Sequence, residues 1–364
     1  KTMKIGILTY HRAHNYGAML QAYALQHFLQ AQGYQAEFID YWPKEHADEY
    51  SLWRPLKGTL INKLLTLITS GLTFWRRRVR IQQFQTFMVE YLGLPAKVKY
   101  STYAAIIYEQ YDCVIVGSDQ IWRNRSSLGK YYGFDPTFFC QTLAYPARCI
   151  SYAASMGVIQ MDELDRQHFR QYLAAFQTIL VREQSLCQVV NDMGFPASVV
   201  IDPTLLFTKE QWNVILPKTR FRNHKYVLYY QLMESKEALA FAKQQAKQRN
   251  CRLLIMDARI SCIQRPKHIS FASPIGFMQA IRDADFVVST SFHGTAFALI
   301  FEKQFLVTGL SHNADRVKTL LRSVGIPDNY RDVPTLCPTI DYVNVTPNVA
   351  RCREQSQKQL LQAI

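Results

Sequence analysis

The amino-acid sequence predicts an α/β protein made of two Rossmann-like domains facing a cleft. Three observations carry this expectation. The chain has 364 residues, more than the roughly 250–300 at which a single hydrophobic core stops growing, so two cores are expected. Short apolar runs alternate with helical patterns, and the rhythm breaks near Asp202-Pro203-Thr204 and then restarts. Such alternation builds parallel sheets with crossover helices. Polar residues also cluster just after several apolar runs, where open parallel sheets bind ligands.

Lys4 to Thr9 reads as a buried strand, Tyr10 to Tyr16 as a polar loop, and Gly17 opens a helix with apolar residues at Ala18, Leu20, Ala22, Leu25, Phe28 and Leu29. Gly33 ends that helix and Ala36 to Ile39 is the next strand, which completes a β-α-β unit. The loop lacks Gly-x-Gly-x-x-Gly, which argues against a dinucleotide cofactor. Ser51 to Leu94 reads as a basic, mostly helical insertion. Strands follow at Asp112–Val116, Cys149–Ala154, Thr178–Val181 and Ser198–Ile201, with a helix at Gln184–Met193. Beyond the break, strands are expected at Tyr226–Tyr230, Arg252–Met256 and Phe286–Ser289. Helices are expected at Lys236–Gln248, Pro274–Arg282 and Val345–Ile364. The domains are therefore read as 1–203 and 204–344, with 345–364 a final helix packing back on the first.

Composition excludes several classes. Aromatic residues make up 13% of the chain, which argues against disorder. The eight cysteines (Cys113, Cys140, Cys149, Cys187, Cys251, Cys262, Cys337 and Cys352) include no Cys-x-x-Cys pair, so neither a zinc site nor a disulfide framework is expected. No secretory signal and no membrane-spanning stretch is visible. Met3 reads as a natural start, and reduced cysteines fit a cytoplasmic location. The net charge of +14 favours anionic partners. It is unevenly placed: from Ser51 to Tyr100 nine Lys or Arg face one acidic residue, a local +8. That concentration does not describe a nucleic-acid surface. Apolar residues at Leu60, Leu64, Leu67 and Ile68 precede Trp75-Arg76-Arg77-Arg78-Val79-Arg80. One reading is a peripheral contact with an anionic membrane; the other is an amphipathic helix packed on its own domain.

Four strand-end loops carry residues that an apolar core would not select. In Ser289-Thr290-Ser291-Phe292-His293-Gly294-Thr295 an apolar strand meets a helix at once. The N–H groups and partial positive charge of a helix start suit phosphate or carboxylate. His293 is placed to donate to that anion or to move a proton, and Gly294 to let a ligand approach the backbone. The structural alternative is that Ser291 and Thr295 cap the helix and His293 is an interior histidine; position, glycine and hydroxyl neighbours together favour function. Arg182-Glu183 follows a strand and reads either as a bidentate anion fork or as a surface ion pair. In Gly117-Ser118-Asp119-Gln120-Ile121-Trp122, Asp119 reads as a base or sugar anchor and Trp122 as a sugar-stacking ring, or else the segment is an Asx turn with Trp122 in the core. Asn15, in His14-Asn15-Tyr16-Gly17-Ala18, reads as substrate contact or as a plain helix cap.

Taken in order, Lys4–Thr9 with Asn15-Tyr16-Gly17-Ala18, Val116–Trp122, Arg182-Glu183, Asp202-Pro203-Thr204 and Ser291–Thr295 resemble the polysaccharide pyruvyl transferase family, from about Met3 to about Leu321. The resemblance implies a fold like the GT-B glycosyltransferases, with phosphoenolpyruvate as donor and a saccharide, often a lipid-linked or cell-envelope glycan precursor, as acceptor. The product would be a pyruvate ketal. No cofactor or metal is implied beyond phosphoenolpyruvate as co-substrate. His293, Arg182 and Asp119 would be catalytic. Ser291, His293, Gly294 and Thr295 of the second domain, the donor side, would hold the donor together with Arg182 from the facing first domain. Asn15, Tyr16, Ser118, Asp119 and Trp122 would hold the acceptor. Some relatives carry an arginine two residues before the motif histidine, where this chain has Ser291; Arg182, Arg316 or Lys318 would then supply the cation. The alternatives are a nucleotide-sugar glycosyltransferase on the same fold and a non-catalytic, membrane-associated glycan-binding protein.

Overall fold

The computed structural model describes residues 2–53, 56, 58–101, 110–124, 133–141, 143, 147–218, 224–260, 268–269, 272–310, 313–335 and 338–364. Cys262 and Cys337, and Arg54 and Lys57 of the basic stretch, lie outside them. In the first half come β1 (Lys4–Leu8), α1 (Tyr16–Ala31), β2 (Gln35–Phe38), α2 (Lys44–Tyr50), α3 (Leu60–Leu92), β3 (Cys113–Val116), β4 (Arg148–Ala154), α4 (Glu163–Leu173), β5 (Thr178–Val181), α5 (Gln184–Asp192) and β6 (Ala197–Val199). The second half holds α6 (Lys209–Ile215), β7 (Tyr226–Gln231), α7 (Lys236–Gln248), β8 (Arg252–Asp257), β9 (His268–Ile269), α8 (Pro274–Arg282), β10 (Phe286–Ser289), α9 (Phe292–Ile300), β11 (Phe305–Val307), α10 (Asp315–Ser323) and α11 (Tyr342–Ala363).

The strands form two parallel sheets, ordered β2-β1-β3-β4-β5-β6 and β11-β10-β7-β8-β9. Helices cover these sheets, so several inner strands read as continuous apolar runs; Cys113-Val114-Ile115-Val116 is buried throughout. Strand order reverses between β1 and β3 in the first sheet and between β10 and β7 in the second. Such switch points open a crevice at the carboxyl ends of the strands. Here the two crevices meet, because α1 leaves β1 and α9 leaves β10, and Gly17 of α1 lies directly against the ring of His293 in α9.

The halves share a core. Ile5, Met19 and Leu25 of the first sheet's side and Leu228, Phe277 and Phe297 of the second belong to one apolar cluster. Tyr16 and Phe277 stack across the junction with centroids 4.9 Å apart and planes 8° from parallel. The chain also returns: Arg353 in α11 donates to Leu205 O (2.8 Å) and Arg148 donates to the carbonyl of Ile364 (3.1 Å).

The expected insertion is one 33-residue helix, α3, capped by Thr59 and ended by Gly93 in the left-handed region at φ 65°. The sequence pattern does not announce β9 and β11, which are two and three residues long, or α2, α4, α6 and α10. Helix α10 escapes because its buried stripe includes Arg316 beside Val317, Leu320 and Leu321; a buried arginine breaks the apolar period.

Candidate active site

Local sequence fixes the two halves of the site. Asn15 accepts from Gly17 N and Ala18 N (2.9 and 3.3 Å) and starts α1. The preceding loop is tied down by Arg12, which donates through Nη2 to Asp40 (2.8 Å) and to Pro95 O (2.8 Å). On the other side Ser291 caps α9, accepting from Gly294 N at 3.5 Å, and its backbone N–H donates to Ser289 Oγ (3.1 Å). Gly294 is required by packing: a Cβ there would lie 2.3 Å from Ser289 Oγ and 2.7 Å from Tyr230 Cδ1.

The centre is a buried cluster of opposed charges. Arg182, at the end of β5, donates through Nη1 to Asp202 Oδ2 (2.7 Å), and its Nη2 lies 3.7 Å from Asp119 Oδ1. His293 Nε2 stands 3.6 Å from the same Asp202 oxygen, an ion-pair distance rather than a hydrogen bond. The other Asp202 oxygen accepts from Thr204 N and Thr204 Oγ1 (3.0 and 2.8 Å). Burial would raise the Asp202 carboxyl, but His293, Arg182 and the Thr204 N–H together hold it well below the usual carboxylate range. Glu183 is also buried, which pushes its carboxyl up despite the neighbouring Arg182.

Several donors in this cluster lack an acceptor. Arg182 Nε and Nη2, Arg316 Nε and His293 Nε2 are all buried without a hydrogen-bond partner. Both guanidinium groups attend the Phe292 ring, with Arg182 Cζ at 4.6 Å and Arg316 Cζ at 5.9 Å from its centroid. Burial, followed by the nearby Arg182, pushes Arg316 down to about 10. Two buried cations with N–H groups that lack a hydrogen-bond acceptor make this cluster a candidate anion site. A cavity of about 400 Å³ opens beside them, lined by Arg182, Asp202, Phe292, Arg316, Thr319 and Arg322 among others. No group of His, Cys, Asp or Glu among the described residues is arranged to hold a metal.

The structure brings His293, Arg182, Asp119 and Ser118 together and corrects several expectations. Trp122 cannot stack on a sugar: it is fully buried, stacks on Phe139 at 5.3 Å and donates through Nε1 to Phe138 O (3.0 Å). Tyr16 is fully buried at the domain junction between Phe84 and Phe277. Ser118 is buried too; its hydroxyl contacts Ala153 O and Asp202 Oδ2 (2.9 and 3.1 Å), so it supports the cluster and is not open to an acceptor. Thr295 spends both its N–H and its hydroxyl on Ser291 O (3.1 and 2.8 Å), which removes its amide from donor binding. Gly294 serves packing and not ligand approach. Arg182 forms no surface pair with Glu183; its partner is Asp202. Lys318 sits over the Tyr330 ring at 4.8 Å, whereas Arg316 joins the cluster. Asp202 is the residue that sequence reading placed in the break between domains without giving it a role. Its signal is the Asp-Pro-Thr turn itself, which aims one carboxylate oxygen into its own backbone and the other at Arg182.

The candidate site lies between two Rossmann-like halves, an architecture that by itself does not choose among chemistries. The model of one family, polysaccharide pyruvyl transferase, matches residues 15–312, and the chain belongs to that family. No curated protein matches. Among solved structures, similarity extends to a protein assigned as a UDP-N-acetylglucosamine 2-epimerase from Listeria monocytogenes (9% identity, 100% of this chain and 92% of that one, TM-score 0.48). The UDP-GlcNAc 2-epimerase from Neisseria meningitidis bound to UDP-GlcNAc (10%, 100% and 99%, 0.47) and the glycosyltransferase SnogD from Streptomyces nogalater (12%, 100% and 100%, 0.44) are similar at the same level.

Proposed function

We propose that the enzyme transfers the three-carbon unit of phosphoenolpyruvate to a saccharide as a pyruvate ketal, in the cleft where His293, Arg182 and Arg316 converge. The observation that carries this reading is the pair of buried guanidinium groups with unpartnered N–H donors beside an unpartnered His293 Nε2. Phosphoenolpyruvate presents a phosphate and a carboxylate on one carbon, and two buried cations at one aromatic ring offer a partner to each. Arg316 supplies the cation that Ser291 does not. A proton delivered to the methylene carbon makes the central carbon electrophilic. His293 is the acid assigned to this step, with Asp202 to balance its charge. One sugar hydroxyl adds to the central carbon; the C–O bond to phosphate then breaks, and a second hydroxyl closes the ketal. Of the two hydroxyl protons, one replaces the proton spent on the new methyl group and the other leaves with phosphate. Asp119, the most exposed acid of the cluster, takes the role of base toward the acceptor. A lipid-linked acceptor belongs to the same proposal; a peripheral contact with the inner face of a membrane stands apart from it.

The test is phosphate release from phosphoenolpyruvate in the presence of candidate lipid-linked glycans. Release should depend on acceptor and be lost in His293→Ala. Thermal stabilisation by nucleotide sugars and not by phosphoenolpyruvate would instead favour glycosyl transfer.

A further inference from the structure

Helix α3 is inside out over its first five turns. At about 100° per residue, Leu60, Leu64, Ile68, Leu72, Trp75 and Val79 share one arc of about 120°. That arc faces solvent: Leu60 is 83%, Leu72 64% and Trp75 70% exposed. Ser70, Thr73, Arg77 and Arg80 lie about 180° away and are the residues buried against the protein. A helix that only packed on its own domain would show the opposite polarity. The inner face is held by polar contacts: Arg77 donates to Ser51 O, and Arg80 donates to His14 O (2.9 Å). The inversion is therefore part of how the helix is attached.

The charges around the outer face identify its occupant. Lys63 and Arg78 border the apolar arc on one side and Arg76 on the other, and no acidic residue occurs from Ser51 to Val89. Arg78 lies over the Trp75 ring at 5.7 Å. We propose that α3 docks the enzyme on an anionic lipid bilayer, lying flat with this arc in the headgroup–acyl boundary and its flanking cations among the headgroups. The apolar run from Leu60 to Val79 gives about 28 Å of contact at 1.5 Å per residue. No helix among the described residues is long and apolar enough to cross a membrane, which agrees with a surface-lying mode. A second copy of the chain is a poor occupant, because like-charged flanks would meet, whereas phosphatidylglycerol supplies the opposite charge. The inner face of α3 contacts the His14 loop that leads into Asn15 and Gly17, so docking sets the membrane surface beside the candidate active site.

Vesicle binding tests this without any substrate, so its outcome is separate from that of the pyruvyl-transfer proposal. The full chain should sediment with phosphatidylcholine vesicles containing phosphatidylglycerol, less with phosphatidylcholine alone, and less at high salt. A blue-shifted tryptophan emission on binding should vanish in Trp75→Phe. Arg76→Ala with Arg78→Ala should weaken binding about fivefold per charge removed. Leu64→Glu with Ile68→Glu should abolish sedimentation while leaving thermal unfolding unchanged, since both side chains are exposed. Leu64→Ser with Ile68→Ser is the second variant should the glutamates unfold the protein. The proposal is overturned if the wild type ignores anionic vesicles, if the serine and glutamate variants bind as the wild type does, or if light scattering shows a dimer that these variants dissociate.

Discussion

Gly17 should be as necessary to catalysis as a residue that touches substrate, although it contributes no side chain. Its backbone needs no glycine, because Asn15 caps the helix and Gly17 is not among the glycines of positive φ. Alanine there would even favour the helix by about 0.5–1 kcal/mol. The obstacle is His293: an added Cβ would stand 2.0 Å from Nδ1 and 2.1 Å from Cγ, where ordinary contact begins near 3.4 Å. The ring or the helix must move by roughly 1.4 Å, and a misplacement of about 1 Å costs on the order of 10²-fold in rate. Overpacking of this kind costs about 1–3 kcal/mol of stability, partly offset by the helix gain. Gly17→Ala is therefore expected to lose about 10²-fold in phosphate release from phosphoenolpyruvate and only about 1–2 kcal/mol in urea unfolding. A substrate-free check is available in the His293→Ala background. With the ring gone, Gly17→Ala should become neutral or stabilising by about 0.5–1 kcal/mol. Activity of Gly17→Ala within threefold of wild type, or an undiminished stability loss in the double variant, would refute the idea that this contact positions His293.

Other perturbations separate charge from packing. Arg182→Met strands the buried Asp202 without its closest cation and should cost about 3–5 kcal/mol as well as donor use. Arg316→Met removes a buried cation with an unpartnered Nε, so stability should hold or rise while the KM for phosphoenolpyruvate climbs; denaturant unfolding beside initial-rate kinetics reads both. Trp122→Phe should leave the acceptor KM unchanged, and Trp122→Ala should cost about 3–5 kcal/mol as a core truncation. His14 is pushed down to about 3, first by burial and then by Arg80 and Arg77. Its folded value lies below its unfolded one of about 6.5, so the stability it leaves intact at neutral pH falls as pH drops from about 6.5 toward 3, at up to roughly 1.4 kcal/mol per pH unit. In His14→Gln, urea midpoints should flatten over that window; an unchanged slope would remove His14 as the source.

The alternation of strands and helices was legible because buried parallel strands need continuous apolar runs, and β1, β5 and β10 announce themselves that way. Their ends were legible for the same reason, since a serine or arginine directly after such a run has no place in a core. Exposure was not legible. Trp122 follows Asp119 closely enough to suggest a sugar platform, and only the packing of Phe139, Phe169 and Phe176 around it shows that it is core. Gly17 and His293 were each visible as motif residues, but their contact spans the two sheets, and nothing local in the chain records it.

Ser291 stands where the family resemblance leads one to expect an arginine in some relatives. The missing arginine is visible in the sequence, because the motif around it is intact. Its replacement is not, because any of several arginines and lysines would serve on charge alone. What distinguishes Arg316 is the environment: it sits on the buried face of α10, its guanidinium reaches Phe292 of the motif helix, and burial, then Arg182 on the same ring, pushes it down. On the proposed function, Arg316 takes from a neighbouring helix the part that the resemblance gives to an arginine at the turn, and Ser291 is free to cap α9. If this exchange is real, Ser291→Arg should place a third cation near Phe292, weaken the cap by about 1 kcal/mol and lower stability further through repulsion. Combining it with Arg316→Met should recover both stability and donor binding relative to either single variant. A double variant no better than Ser291→Arg alone would show that Arg316 does not occupy the arginine's place in this site.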